Sequence, residues 1–72
     1  VLSIDWNPVD QDTWVGLGLN GDEYEIKKTK KRGGWMIDYK KNGRRVTDIC
    51  VKNLGDEEVE ESFFKIIRES YA

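Results

Sequence analysis

Apolar and polar residues alternate with a period of two through most of this chain, and from Asp56 onward the period lengthens to that of a helix. A period of two is the mark of half-buried strands, because successive side chains point to opposite faces of a sheet. Leu2, Ile4 and Trp6 alternate with Ser3 and Asp5 until Asn7-Pro8 breaks the run. Val15, Leu17 and Leu19 form a second such run, Tyr24 and Ile26 a third, Trp35, Ile37 and Tyr39 a fourth, and Ile49 and Val51 a fifth. The strand stretches are expected at about 1–7, 14–19, 23–30, 34–40 and 44–52. After them, Val59, Phe63, Ile66, Ile67 and Tyr71 fall on one side of a helix over about 56–71, with Phe64 widening the stripe. Acids at Asp56, Glu57 and Glu58 suit the positive end of its dipole.

The turns fix which faces meet. A two-residue type I′ turn at Asn20-Gly21 pairs Leu17 with Tyr24 and Val15 with Ile26, so apolar residues face one another. A tip at Lys31-Arg32 pairs Ile26 with Ile37 and Tyr24 with Tyr39. At the next turn, a two-residue Asn42-Gly43 loop would set Asp48 opposite Ile37. A three-residue loop, Lys41-Asn42-Gly43 with Gly43 left-handed, avoids that and pairs Trp35 with Ile49. The expected fold class is α+β: a four-stranded antiparallel β-meander with one C-terminal α-helix packed on one face. All 72 residues form a single domain. Its expected core is Leu2, Ile4, Trp6, Val15, Leu17, Leu19, Tyr24, Ile26, Trp35, Ile37, Tyr39, Ile49, Val51, Val59, Phe63, Ile66 and Ile67.

Function is constrained more weakly. The chain has no histidine and one cysteine, Cys50, so neither the commonest general base nor a Cys/His zinc set is available. No nucleophile–base pair can be named, and the expectation is a non-enzymatic protein without cofactor or metal. Glu25, Asp38 and Asp48 read as partners of Lys27 and Lys40 rather than as a cation site. Without a second cysteine there is no internal disulfide, and a reducing cytoplasm is the expected compartment. No apolar run approaches the roughly 18 residues of a membrane span, so no membrane partner is expected. A domain this small is marginal alone, which leaves room for a homodimer.

Charge is the feature that points to a partner. Residues 27–45, "KKTKKRGGWMIDYKKNGRR", hold nine bases and one acid for a net +8, whereas the other 53 residues hold three bases and thirteen acids for a net −10. With the registers above, the face of the sheet away from the helix carries Trp14, Lys27, Met36 and Asp48 in one row. Two basic tips, Lys30 to Arg32 and Lys40 to Arg45, stand on the order of 20 Å apart at the ends of one strand. Lysine and arginine at such rims neutralise phosphates and release counterions, and a sheet face can enter a groove or stack on bases. The candidate nucleic-acid contacts are Lys27, Lys30, Lys31, Arg32, Lys40, Lys41, Arg44 and Arg45 for phosphates, with Trp14 and Met36 as apolar contacts. Lys28 falls on the core side over Trp35 and is the base least able to reach a ligand.

Two other readings stand beside this one. Lysine-rich hairpin tips also serve solubility and discourage strand-to-strand aggregation. A protein-interaction module, such as a small phage-type regulator or inhibitor, would instead dock through Glu57, Glu58, Glu60 and Glu61 on the helix or through an exposed strand edge.

The segment "KKRGGWMIDYKKNGRR", followed by a strand and an amphipathic helix, resembles the arm-type DNA-binding domains of phage and transposon integrases, relatives in shape of plant AP2 domains. Gly34, Trp35, Ile37 and Tyr39 match the strand of that pattern, and Gly43, Arg44 and Arg45 match its turn. The resemblance spans roughly residues 27–70. It implies a three-stranded sheet laid in the major groove of duplex DNA, with Lys27, Lys40, Arg44 and Arg45 as the matching contacts. Leu54-Gly55-Asp56 stands where that family has a Gly-aromatic pair followed by Thr.

Overall fold

The computed structural model describes residues 4–69. Strands β1 (Ile4–Pro8), β2 (Thr13–Gly18), β3 (Glu23–Lys31), β4 (Gly34–Lys41) and β5 (Arg44–Arg45) pair in chain order as an antiparallel meander. A short β6 (Val51–Leu54) pairs β4 further along the strand, beyond β5, and helix α1 (Asp56–Glu69) packs on one face. The α+β class and the single C-terminal helix are as the periodicity predicts. The sheet has six strands among the described residues rather than four. Leu2 and Tyr71, placed in the core and on the helix stripe by the sequence pattern, lie outside the described residues.

The core forms where the alternation of β1, β3 and β4 meets the helical stripe. Ile4, Trp6, Tyr24, Ile26, Ile37 and Tyr39 are buried from the sheet, and Val59, Phe63 and Ile67 from the helix. Trp14, Trp35, Val46, Ile49, Cys50, Leu54 and Ile66 pack around them. Trp6, Tyr24 and Tyr39 form an aromatic cluster with ring centroids 6.1–6.3 Å apart, a spacing at which tilted and edge-on rings attract.

Strand β2 departs from expectation in its facing. Its register to β3 is Trp14↔Ile26 and Gly16↔Tyr24, so Trp14 and Gly16 face the helix. Val15, Leu17 and Leu19 are therefore not core; they are 39%, 57% and 87% exposed. The cause is steric. A Cβ on Gly16 would stand 2.5 Å from Ile4 Cγ2 and 2.9 Å from the Trp6 ring, so only glycine lets β1 lay its two large side chains across β2. The one-residue change of register is absorbed by a three-residue Leu19-Asn20-Gly21 loop, with Gly21 left-handed at φ 84° and Gly18 N donating to Asp22 O at 2.8 Å.

The other Asn-Gly pair takes the opposite geometry. Lys41↔Arg44 and Lys40↔Arg45 close a two-residue loop, with Asn42 and Gly43 both left-handed at φ 53° and 81°, as a type I′ turn requires. Asp48 is not thereby forced against Ile37. A turn over residues 46–50, with Ile49 N and Cys50 N both donating to Val46 O, takes up the intervening residues and brings Val51 opposite Ile37. The continuous strand expected over 44–52 is thus two short ones, and Val51 remains 36% exposed.

The β3–β4 hairpin turns at Arg32-Gly33 rather than Lys31-Arg32, pairing Ile26 with Tyr39 and Lys28 with Ile37. This shift of two residues preserves the faces.

Candidate nucleic-acid interface

The face of the sheet away from α1 is built by alternation. Asn7, Val15, Glu25, Lys40 and Arg45 form one cross-strand row, flanked by Asp5, Leu17 and Glu23 on one side and by Thr13, Lys27 and Asp38 on the other. Beyond these, Thr29 stands opposite Met36 and Lys31 opposite Gly34.

The expected contacts divide between the two faces. Lys27, Lys31 and Lys40 lie on the open face, exposed. Arg32 stands exposed at the hairpin tip, and Arg44, exposed at the far turn, is opposite Lys41 and so belongs to the helix-side face. None of these five forms an ion pair among the described residues. Arg45 is also on the open face, but its Nη2 lies 2.9 Å from Asp38 Oδ1 and 3.8 Å from Met36 Sδ. Its guanidinium is held above its ordinary value, first by a hydrogen bond with the Cys50 side chain and then by the charge of Asp38. Met36 is half-buried there.

The remaining contacts face the helix side. Trp14 does not reach the open face: it packs edge-on against Phe64 with centroids 6.1 Å apart. Phe64, at 44% exposed, covers the rim of the core rather than its centre. Lys30 Nζ lies 3.3 Å from Asp56 Oδ1 and 5.3 Å from the Trp35 ring centroid. Lys41 Nζ lies 3.8 Å from Asp22 Oδ2 and 5.8 Å from the Tyr24 ring. Lys28 is 7% exposed; its Nζ donates to Glu60 Oε1 at 2.7 Å and approaches the Phe63 and Trp35 rings at 5.3 and 6.0 Å.

Two supporting contacts escape sequence reasoning. Asp56 Oδ1 accepts from Trp35 Nε1 at 2.6 Å as well as from Lys30. These donors, Trp35 first, hold its carboxyl below the usual carboxylate range. Asn42 clamps the two Asn-Gly loops together: its Oδ1 accepts from Glu23 N at 2.8 Å, and its Nδ2 donates to Asp22 Oδ1 at 3.1 Å. Both contacts join residues about twenty positions apart or more, beyond the reach of any local signal.

The other half of the open face differs in character. Val15 and Leu17 floor a concavity of about 570 Å³ walled by Asp5, Glu23 and Glu25, with Lys40 at its edge. Glu25 sits opposite Lys40 and Asp38 opposite Lys27, and no group of three or more metal-ligating side chains converges among the described residues. No helix among them is long and apolar enough to cross a membrane. Compared with protein-family models, curated proteins and solved structures, the chain finds no match in any of the three.

Proposed function

We propose that this domain is a non-enzymatic nucleic-acid-binding module that grips duplex DNA with the open face of the β3–β4 hairpin and its two turns. The observation that carries the reading is a set of five exposed cations that form no ion pair among the described residues: Lys27, Lys31 and Lys40 on the open face, Arg32 at the hairpin tip and Arg44 at the start of β5. A lysine head outside ion-pair distance of any carboxylate gives up no partner when it meets a phosphate. A two-stranded ribbon is also a shape that the ~12 Å major groove admits. The resemblance of residues 27–70 to integrase arm-type domains points the same way, with a short sheet in front and a helix behind. Lys28, Lys30 and Lys41 are held by Glu60, Asp56 and Asp22, Lys28 buried and the other two at the surface of the helix side.

Acidic docking through the helix has less support. Of the acids it would use, Glu60 already holds Lys28, while Glu57, Glu58 and Glu61 are exposed and form no ion pair among the described residues.

The test is fluorescence anisotropy of a labelled duplex. With about four phosphates neutralised, log K should fall with log salt at a slope near −4, or a few hundredfold between about 50 and 200 mM. Absence of binding at low salt would reject the reading.

A further inference from the structure

The open face is not uniformly basic. Along β3 alone it runs Glu23, Glu25, Lys27, Thr29, Lys31, so one end of a single strand is acidic and the other basic. The acidic end adjoins the exposed Val15 and Leu17 of β2, and the basic end adjoins Met36 of β4. A face polarised in this way is complementary to itself. Turning a second copy over about a two-fold axis that lies in the face, runs across the strands and passes near the middle of β3 sets each acidic end on the other's basic end.

We infer that this chain forms a two-fold, face-to-face homodimer through the open face of its sheet, the acidic Val15–Leu17 patch of each copy covering the Lys27–Lys31 end of the other. A second copy is the occupant that the charges select, because the two halves that need covering are present on one molecule in complementary sign. Isologous contacts of this kind are the commonest way proteins pair. Sheets pack face to face at about 10 Å, which leaves room for the methylene stem of Lys40 in each copy to lie on Met36 of the other.

The face spans five strands at ~4.8 Å and about six residues at ~3.3 Å, on the order of 500 Å² per copy. Roughly 1,000 Å² in total is the lower limit for a specific interface, so the dimer is weak, reversible and salt-sensitive. Lys27 and Lys31 would be covered in it, so a second copy and nucleic acid compete for one face.

Sedimentation equilibrium without nucleic acid tests the dimer independently of the nucleic-acid reading, so either can fail alone. Wild type should pass from monomer to dimer between about 5 and 500 µM at low salt and shift toward monomer as salt is added. Two charge-reversed variants, Glu23→Lys/Glu25→Lys and Lys27→Glu/Lys31→Glu, should each remain monomeric, because the open side of β3, the strand at the centre of the contact, then carries one sign from end to end. Mixed together they should form a one-to-one heterodimer, which also demonstrates that both are folded. A wild type monomeric throughout, dimerisation retained by either variant, or a mixture that stays monomeric would overturn the inference.

Discussion

Lys28 Nζ lies 2.7 Å from Glu60 Oε1, and this ion pair joins the third strand of the sheet to the middle of the helix. The lysine is buried and the glutamate is 58% exposed in its side chain. Removing the glutamate leaves the buried ammonium only its longer contact with Asp12 Oδ1 at 4.0 Å, whereas removing the lysine strands nothing, because Glu60 and Asp12 can both turn to water. Glu60→Gln should therefore destabilise the domain by about 1–2 kcal/mol, while Lys28→Met, which keeps the stem over Phe63, should be near neutral. Urea denaturation of the two variants measures the asymmetry, and equal losses would contradict it.

The close approach of Ile4 and Trp6 to Gly16 makes a second prediction. Gly16→Ala must displace a side chain at 2.5 Å, and overpacking of this kind costs roughly 1–3 kcal/mol. Leu17→Ser, one residue away on the open face, should cost under about 1 kcal/mol. Had Leu17 been core, the ranking would reverse.

The two Asn-Gly loops should respond differently to the same change. Asn42 is left-handed and its side chain makes two hydrogen bonds, so Asn42→Ala should cost about 2 kcal/mol. Asn20 does not have a positive φ, and Asn20→Ala should fall within about 0.5 kcal/mol of wild type. Thermal unfolding of both variants under one condition decides it.

Asp56 gives the pH dependence. Its carboxyl is lowered by the Trp35 indole and by Lys30, so folding favours the ionised form. The resulting stability is fully present above the ordinary carboxylate value of 3.8. It is lost as pH falls from there through the lowered native value. The Tm of wild type should exceed that of Asp56→Asn at pH 7, and the gap should close as the solution is taken below about pH 4. A gap that stays constant with pH would assign the effect to geometry alone.

The sequence made the helix legible because five apolar residues recur at helical spacing behind an acidic first turn, and Ile4, Trp6, Tyr24, Ile26, Ile37 and Tyr39 were legible by simple alternation. Strand β2 was not. Its apolar residues Val15 and Leu17 are the exposed set, while its inward set is Trp14 and two glycines, of which Gly16 leaves the space that Ile4 and Trp6 need. Hydrophobic patterning reads side chains and cannot read the space a missing one leaves.

The two Asn-Gly loops were assigned each other's geometry for the same reason. Both assignments aligned apolar residues across the turn, and the structure satisfies that requirement instead with Gly16 and with the turn over residues 46–50. The candidate site was legible as a charge excess, but not as a set of residues. Which lysines stay free depends on Glu60, Asp56 and Asp22, acids that are distant in sequence from the lysines they hold.

The division of lysines between the two faces is the centre of this account, and paired substitutions measure it directly. Lys27→Ala/Lys31→Ala and Lys30→Ala/Lys41→Ala each remove two positive charges from the same hairpin, one pair from the open face and one from the helix side. In anisotropy titrations of one labelled duplex at low salt, the open-face pair should lose about tenfold or more in affinity and flatten the salt slope by about 2. The helix-side pair should stay within about threefold of wild type and keep its slope. Equal losses from both pairs would mean that net charge alone governs binding, and the assignment of an interface to the open face would be wrong.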